Sequence, residues 1–321
     1  MPPYKLKKWI KIEKLDWDLL SINTNAIDLL RENPDKIHWN LLFLNENALE
    51  IIENNKKNLL KKNKDSWNLL SSNPSFSAIK LLEKYPEKIN WNELSSNPSA
   101  IHILEKNLDK INWMVLSKNP NAIHLLEKNK IKIDWNWLSE NPNAMHILED
   151  NMKNIDWYAI LKNPNAIHLI NKIIYGFNPY LTLDDSWNYK YVSYNLSQNT
   201  SVIDILEKNP SLIDWKELSR NKKAIKILET RLDKLDWQIL SSNPCAIKLL
   251  EQNQDKIYWK YISLNENIFE LDYYLIKKRI EPFVEELMMV CFHPSRLEYY
   301  IEKYNYDIGD DTYMDDDILK L

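Results

Sequence analysis

Apolar and polar residues recur along most of this chain in a phrase of 22 residues, of which Asp134 to Ile155 (DWNWLSENPNAMHILEDNMKNI) is the clearest copy. Degenerate copies run from residue 16 to about residue 267. A fixed period of this length is typical of repeat architectures. The phrase occurs eleven times, and each copy has an Asn in its middle: Asn23, Asn45, Asn73, Asn97, Asn119, Asn141, Asn163, Asn199, Asn221, Asn243 and Asn265. Three intervals carry insertions, the largest of them between the seventh and eighth repeats.

The first half of the phrase predicts a short helix. Asp134 precedes the first apolar residue and is a suitable N-cap, while Ile133 before it can pack on Leu138 as a hydrophobic staple. Asn141 and Pro142 open the second half, because Asn is a good N-cap and Pro loses nothing at the first helical position. A second helix of about two and a half turns is expected to follow.

The second helix is amphipathic. At 100° per residue, Ala144, Met145, Ile147 and Leu148 share one face, and His146 points outward. Helices this short are marginal alone, so neighbouring repeats must hold them. We expect buried Trp side chains to join the repeats, and assign structural roles to the following residues: Trp91, Asn97, Trp113, Asn119, Trp135, Asn141, Trp157, Asn163, Trp215, Asn221, Trp237 and Asn243.

The predicted fold class is all-α: an α-solenoid of about eleven two-helix repeats with helical caps. A leucine-rich repeat is the alternative, since its period is similar and it also carries an Asn. Its strand needs Leu at spacings of three and then two before that Asn, whereas Leu138 is followed here by Ser-Glu-Asn-Pro and then by a helical pattern. The predicted boundaries are an N-terminal cap at 1–15, repeats 1–7 at 16–172, an aromatic-rich interruption at 173–192, repeats 8–11 at 193–267, a C-terminal helical cap at 268–306 and an acidic tail at 307–321.

Composition narrows the function classes. The net charge is −4, so nothing in the overall charge favours nucleic acid or an anionic membrane as a partner. Two cysteines lie in different elements, which suits a reducing compartment. We expect no signal peptide and no membrane span, and therefore a cytoplasmic protein. No Gly-rich phosphate loop, His-Glu-x-x-His, Cys-x-x-Cys or Gly-x-Ser-x-Gly motif occurs, so the sequence predicts neither an enzyme nor a cofactor.

A column of histidines marks the outward position of the second helix in the most regular repeats: His102, His124, His146 and His168. Stacked helices lie about 8–10 Å apart, whereas a zinc ligand nitrogen sits about 2 Å from its ion, so one metal cannot bridge successive repeats. We predict no metal site. The column is a candidate partner surface that would respond to pH, although other polar residues occupy the same position elsewhere.

The largest insertion is rich in aromatic residues, and insertions in repeat proteins project from one face, often the binding face. The candidate partner-binding residues in it are Tyr175, Phe177, Tyr180, Trp187 and Tyr189. Two interpretations stay open: the aromatic residues form a binding loop, or they pack back on the repeats as a spacer.

The two ends of the chain differ in charge. Residues 1–64 carry twelve Lys or Arg against nine Asp or Glu, and residues 281–321 carry three against eleven. This asymmetry predicts weak, salt-dependent head-to-tail association. The basic run Asn54–Lys64 lacks the interleaved aromatic residues that would favour nucleic acid, and the acidic tail lacks EF-hand spacing.

The phrase W-x-x-L-S-x-N-P-x-A-I-x-(I/L)-L-E-K-N, at Trp91–Asn107 and Trp113–Asn129, resembles the short Trp/Asn-Pro helical repeats of proteins from giant nucleocytoplasmic DNA viruses. The segments Phe292–Leu297 and Tyr304–Ile308 are similar to the closing part of such proteins. The resemblance implies viral origin and a place in the host cytoplasm or the virion, but no activity.

The sequence therefore predicts a non-catalytic scaffold that binds a protein partner. The first alternative is a structural component of a virus particle or viral factory. A second alternative is an RNA-binding helical repeat protein, against which the exposed positions mix acid and base without a basic stripe.

Overall fold

The structure of the chain is a computed structural model that describes residues 2–55, 64–175 and 186–304. The described residues are mostly helical, which confirms the predicted all-α class in outline. Two compact units are present. Tyr4–Glu270 contains all eleven repeats, and Met1–Pro3 joins Leu271–Leu321 in the second unit.

We number each repeat from its N-cap, so that Asp134 is position 1, Trp135 is position 2 and Asn141 is position 8. The predicted caps are confirmed: the Asp134 carboxylate accepts from the Trp137 N–H at 3.1 Å. In the eighth repeat, Ser193 occupies the Trp position. The first helices of repeats one to eleven are Trp17–Leu20, Trp39–Leu42, Lys64–Ser72, Trp91–Ser96, Trp113–Leu116, Trp135–Ser139, the 3₁₀ helix Ala159–Lys162, Ser186–Gln198, Trp215–Arg220, Trp237–Ser241 and Trp259–Ile262.

Most second helices are shorter than the predicted two and a half turns, although Phe76–Lys84 in the third repeat, with nine residues, has the predicted length. In the sixth repeat, Asn141 caps a 3₁₀ helix, Pro142–Ala144, by accepting from the Asn143 N–H, and an α-helix of five residues follows. A cap bond to the second residue tightens the turn, so the α-helix begins only at position 12. The second helices are Ile27–Glu32, Leu49–Asn54, Phe76–Lys84, Ile101–Glu105, Ile123–Lys128, Met145–Glu149, Ile167–Ile174, Ile203–Lys208, Ile225–Glu229 and Ile247–Gln252.

Short 3₁₀ helices fill most connections between these elements. They are Ile12–Lys14, Thr24–Ala26, Pro34–Lys36, Pro86–Lys88, Lys130–Lys132, Pro142–Ala144, Met152–Asn154, Pro210–Leu212, Pro244–Ala246, Gln254–Lys256 and Glu266–Ile268. The eleventh repeat departs from the two-helix pattern, because Glu266–Ile268 leads into the strand Phe269–Leu271, which pairs with the strand Tyr4–Leu6.

The second unit contains the helices Tyr273–Ile280, Val284–Cys291 and Pro294–Tyr304, with the 3₁₀ helix Glu281–Phe283 between the first two. The predicted C-terminal cap at 268–306 therefore starts inside the eleventh repeat, whose last 3₁₀ helix holds Ile268. The acidic tail at 307–321 lies outside the described residues, as do residues 56–63 of the basic run.

The core consists mainly of aliphatic side chains, although Trp67, Phe43 and Phe269 are also buried in it. In the sixth repeat Leu138, Ala144 and Leu148 are fully buried, whereas Trp135 is half-buried at the edge of the core. The expectation of buried Trp is wrong for most repeats, because the ring packs on the edge of the core and stays partly exposed, and in several repeats a Lys just before the next repeat covers it. The Lys Nζ to ring-centroid distances are 4.4 Å for Lys36 and Trp17, 4.7 Å for Lys110 and Trp91, 4.5 Å for Lys132 and Trp113, 5.2 Å for Lys234 and Trp215, and 4.8 Å for Lys256 and Trp237.

The Asn at position 8 joins each repeat to the preceding one. The buried Asn141 amide donates to the Ser117 and Asn119 carbonyls, both at 3.0 Å. The hydroxyl of Ser117 also accepts from the Asp134 N–H at 3.0 Å. These bonds satisfy carbonyl groups that end the preceding first helix. The period of the sequence is therefore the period of a hydrogen-bond pattern between neighbours.

The same bonds join the first repeat to the eleventh. The Asn23 amide donates to the Ser263 carbonyl at 2.9 Å and to the Asn265 carbonyl at 3.2 Å. The Asp16 N–H donates to the Ser263 hydroxyl at 2.9 Å. Lys14 covers the ring of Trp259 at 5.1 Å, as a Lys does in other neighbouring pairs.

The end surfaces of repeats one and eleven therefore contact each other in this structure. The caps predicted at 1–15 and 268–306, and the head-to-tail association through the charged ends at 1–64 and 281–321, stay predictions.

Candidate binding surface

Positions 4 and 7 of the repeats form one continuous surface, which we call the first-helix face. Position 4 lies on the first helix, about 100° around it from the buried residue at position 5, and position 7 lies at or just beyond the C-terminal end of that helix. Successive first helices contact one another, as Trp91–Ser96 does with Trp113–Leu116. Their position 4 and 7 side chains therefore form two adjacent rows that run from repeat to repeat.

Part of the first-helix face is apolar, and we call this part the apolar arc. It extends over repeats ten, eleven, one, two and three, and so crosses the contact between Asn23 and Asn265. Its side chains are half-buried and remain accessible to a ligand. They are Ile239, Tyr261, Leu264, Leu19, Ile22, Leu41, Leu44 and Leu69.

The rest of the first-helix face, over repeats four to nine, is mainly polar, and we call it the charged arc. Glu140 at position 7 pairs with Lys118 at 2.5 Å and with Lys162 at 3.3 Å, so three successive repeats are linked. Farther along, the Gln198 amide donates to Glu217 at 2.9 Å. Both signs of charge alternate here, and no run of cations forms a track for a phosphate backbone.

The histidine column lies on the second helices, away from the first-helix face. Each imidazole Nε2 lies within hydrogen-bond distance of a Glu one repeat earlier, and each side chain is about half exposed. The pairs are His102 with Glu83 at 2.9 Å, His124 with Glu105 at 2.7 Å, His146 with Glu127 at 2.9 Å and His168 with Glu149 at 2.9 Å. The column thus forms contacts between neighbouring repeats, which the spacing of the histidines alone did not indicate.

The aromatic candidates of the 173–192 interruption are placed differently from one another. Tyr175 ends the second helix of repeat seven and is exposed, while Phe177 and Tyr180 lie outside the described residues. Trp187 belongs to the helix Ser186–Gln198. Tyr189 packs on the core and donates its hydroxyl to the Ser211 carbonyl, as expected of a spacer.

Repeat eight also contains an unsatisfied polar atom. Ser193, which replaces Trp at position 2, is 7% exposed, and its hydroxyl has no hydrogen-bond partner. Tyr191, two residues before Ser193 in the same helix, makes an edge contact with Tyr158, with 6.0 Å between the ring centroids.

Within residues 2–55, 64–175 and 186–304, no group of three or more His, Cys, Asp or Glu side chains could hold a metal ion. In the same part of the chain, no helix is long and apolar enough to cross a bilayer. One carboxyl outside the first-helix face has a perturbed pKa: a hydrogen bond from Arg231 lowers the pKa of the exposed Asp233. None of these features defines a second candidate site.

Comparison of the chain with protein-family models, with curated proteins and with solved structures gives no match. The viral origin expected from the repeat phrase therefore stays a prediction. The first-helix face and the contacts that shape it are the features of the molecule that bear on function.

The apolar arc was not recognised in the sequence, although a signal was present. When the repeats are aligned on position 8, Ile22, Leu44 and Leu264 share position 7 with Lys118 and Glu140. Only the contact between repeats eleven and one makes the first three neighbours, since they lie at opposite ends of the chain.

Proposed function

We propose that the eleven repeats form an α-solenoid closed into a ring, and that this ring is a non-catalytic scaffold that binds a protein partner on its inner wall. The observation that carries the proposal is the cycle of eleven bonds from the position 8 amide to the position 6 carbonyl. It includes Asn45 to Ser21, Asn141 to Ser117, Asn265 to Ser241 and, closing the cycle, Asn23 to Ser263. A stack whose last member is bonded to its first in the same way is a closed ring.

The first helices face the inside of the proposed ring. On their side, neighbouring repeats are close enough for the short Asn141 amide to reach the Ser117 backbone. On the side of the second helices, two long side chains, His146 and Glu127, are needed to span the gap. Elements on the concave side of a curved stack are closer together, so the first-helix face is the inner wall.

The opening of the proposed ring is wide enough for a helix. Eleven helices spaced about 8–10 Å apart give a circumference of about 90–110 Å and a radius of about 14–17 Å at their axes. Subtracting about 5–6 Å for the helices and their side chains leaves an opening about 16–24 Å across, whereas an α-helix is about 10–12 Å wide. A single helix fits, and a folded domain does not.

The two arcs define the partner further. An amphipathic helix would bury its apolar stripe on Leu19, Ile22, Leu41 and Leu44 and keep its polar side towards the charged arc. Burial of apolar surface drives such binding, and the mixed charges of Lys118, Glu140 and Lys162 favour a partner that carries both signs. We therefore infer an amphipathic helical segment of another protein as the ligand.

A selection experiment tests this proposal. A phage-displayed library of helical peptides is selected on the purified full-length protein, and the enriched peptides are synthesised and measured by fluorescence anisotropy. We expect enriched peptides to carry apolar residues at i, i+3, i+4 and i+7, and to lose at least tenfold in affinity for the variant Ile22→Asp/Leu44→Asp. These two positions are half-buried wall residues, so a charge there blocks binding while the core stays intact.

The matched control changes the outer surface by the same number of residues. The variant Glu105→Ala/Glu127→Ala removes two exposed carboxylates from the second helices and should bind the peptides like the wild type. Circular dichroism and gel filtration establish that both variants fold. Failure to enrich any amphipathic peptide, or equal binding by the wild type and the wall variant, would refute the inner wall as the binding site.

A further inference from the structure

The helices after the repeats carry an apolar surface that is independent of the inner wall. Every residue from Lys277 to His293 is exposed, and no residue of the helices Tyr273–Ile280 and Val284–Cys291 is buried. Exposed fractions reach 73% for Met289 and 58% for Phe283. A contiguous apolar surface of this kind in a water-soluble segment marks an interaction site.

The exposed residues have the spacing of a helix interface. Val284, Leu287, Met288 and Cys291 occupy i, i+3, i+4 and i+7, so they form one stripe along the helix. Glu285 lies beside this stripe, and Glu286 lies on the opposite side of the helix. The stripe has the width of a helix-packing seam and is long enough for about two turns of a second helix.

Charge identifies the occupant. The helix Tyr273–Ile280 ends with the cations Lys277, Lys278 and Arg279, and the helix Val284–Cys291 begins with the carboxylates Glu285 and Glu286. The segment between them is short. A two-fold axis through residues 280–283 would place the cations of one chain beside the carboxylates of another, and the carboxylates beside the cations. The surface is therefore complementary to itself.

We propose that residues 273–292 form an isologous dimer interface in which Tyr273–Ile280 of one copy packs antiparallel to Val284–Cys291 of a second copy. The stripe of Val284–Cys291 packs on Tyr273, Ile276 and Ile280, which occupy i, i+3 and i+7, and the pairs between Lys277 and Glu285 fix the antiparallel register. A dimer would carry two copies of the repeat array. It does not depend on what the inner wall binds.

Charge reversal with rescue tests the interface. One variant carries Lys277→Glu/Lys278→Glu and the other carries Glu285→Lys/Glu286→Lys, both in full-length protein with Cys291→Ser to prevent disulfide formation. Sedimentation equilibrium is expected to show a dimer for the Cys291→Ser parent and at least a tenfold larger dissociation constant for each charge variant, because each places like charges opposite one another. An equimolar mixture of the two variants restores opposite charges in both pairs and should recover the dimer.

Rescue distinguishes this interface from general destabilisation, since unfolding of either variant would not be repaired by mixing. The proposal is overturned if the parent is monomeric at the highest concentration, if the charge variants dimerise like the parent, or if the mixture stays monomeric. Flotation of the parent with phosphatidylserine-containing vesicles, without dimer formation, would assign the surface to a membrane instead and also overturn it.

Discussion

Replacing Asn23 by Ala tests whether the repeats close on themselves. Asn23 is buried in this structure, its amide donates to the Ser263 and Asn265 carbonyls, and its Oδ1 accepts from the Asn25 N–H at 3.0 Å. If repeats one and eleven separated in solution, the amide of Asn23 would face water and only the local cap bond would matter. The expected loss of unfolding free energy for Asn23→Ala therefore differs between a closed and an open array.

The costs follow from the number of buried hydrogen bonds. Three bonds at about 1 kcal/mol each, with two carbonyls left short of a donor, give a loss of about 2–4 kcal/mol for Asn23→Ala in a closed array. In an open array only the cap is lost, about 0.5–1 kcal/mol. Asn141→Ala, at the same position inside the array, should cost about 2–4 kcal/mol in either case, because its amide makes the same two kinds of inter-repeat bond, both at 3.0 Å.

The assay is urea unfolding of the wild type and three variants, followed by hydrogen–deuterium exchange of the native proteins. Asn143→Ala is the matched control, since it removes one exposed side-chain bond to the Pro120 carbonyl and should cost under about 1 kcal/mol. Repeat proteins can unfold in stages, so exchange in residues 16–32 and 257–268 supplies an independent measure. Closure predicts protection there equal to that of repeats five and six.

One combination of results would refute the closure of the array. If Asn23→Ala costs no more than Asn143→Ala while Asn141→Ala costs about 2–4 kcal/mol, the contact between repeats one and eleven does not hold in solution. Fast exchange confined to repeats one and eleven of the wild type would lead to the same conclusion.

Further predictions concern individual contacts. Ser193→Ala should leave the urea midpoint unchanged or raise it, because the buried Ser193 hydroxyl has no hydrogen-bond partner. Ser197→Ala should lower stability by about 1–3 kcal/mol, because the Ser197 hydroxyl accepts from the Asp214 N–H. Equal losses for the two variants would contradict this. Leu138→Ala should cost about 2–5 kcal/mol by leaving a cavity in the core, and a loss below about 1 kcal/mol would show that the core is not packed there. His124→Ala should change stability by less than about 1 kcal/mol in unfolding measurements at low and high salt, since its pair with Glu105 is exposed to solvent; a larger loss would mean that the column holds the repeats together.

Local features were predictable from the sequence because they depend on residues close together in the chain. Asp134 caps the first helix, Ala144 and Leu148 are buried, and His146 points outward, as the pattern indicated. The length of the second helix and the position of Trp135 were not predicted. Both depend on tertiary context: the Asn141 amide also donates to the preceding repeat, and the core against which Trp135 packs is filled by aliphatic side chains.

Period and capping chemistry were determined by the sequence alone, because they require only the helical turn and the needs of its terminal N–H groups. The closure of the array was decided by tertiary structure. In the proposed ring, a rotation of about 33° between neighbours, which no single repeat reveals, would bring eleven repeats through a full turn. The contact between Asn23 and Asn265 brings repeats one and eleven together, so the apolar arc exists only in the folded chain.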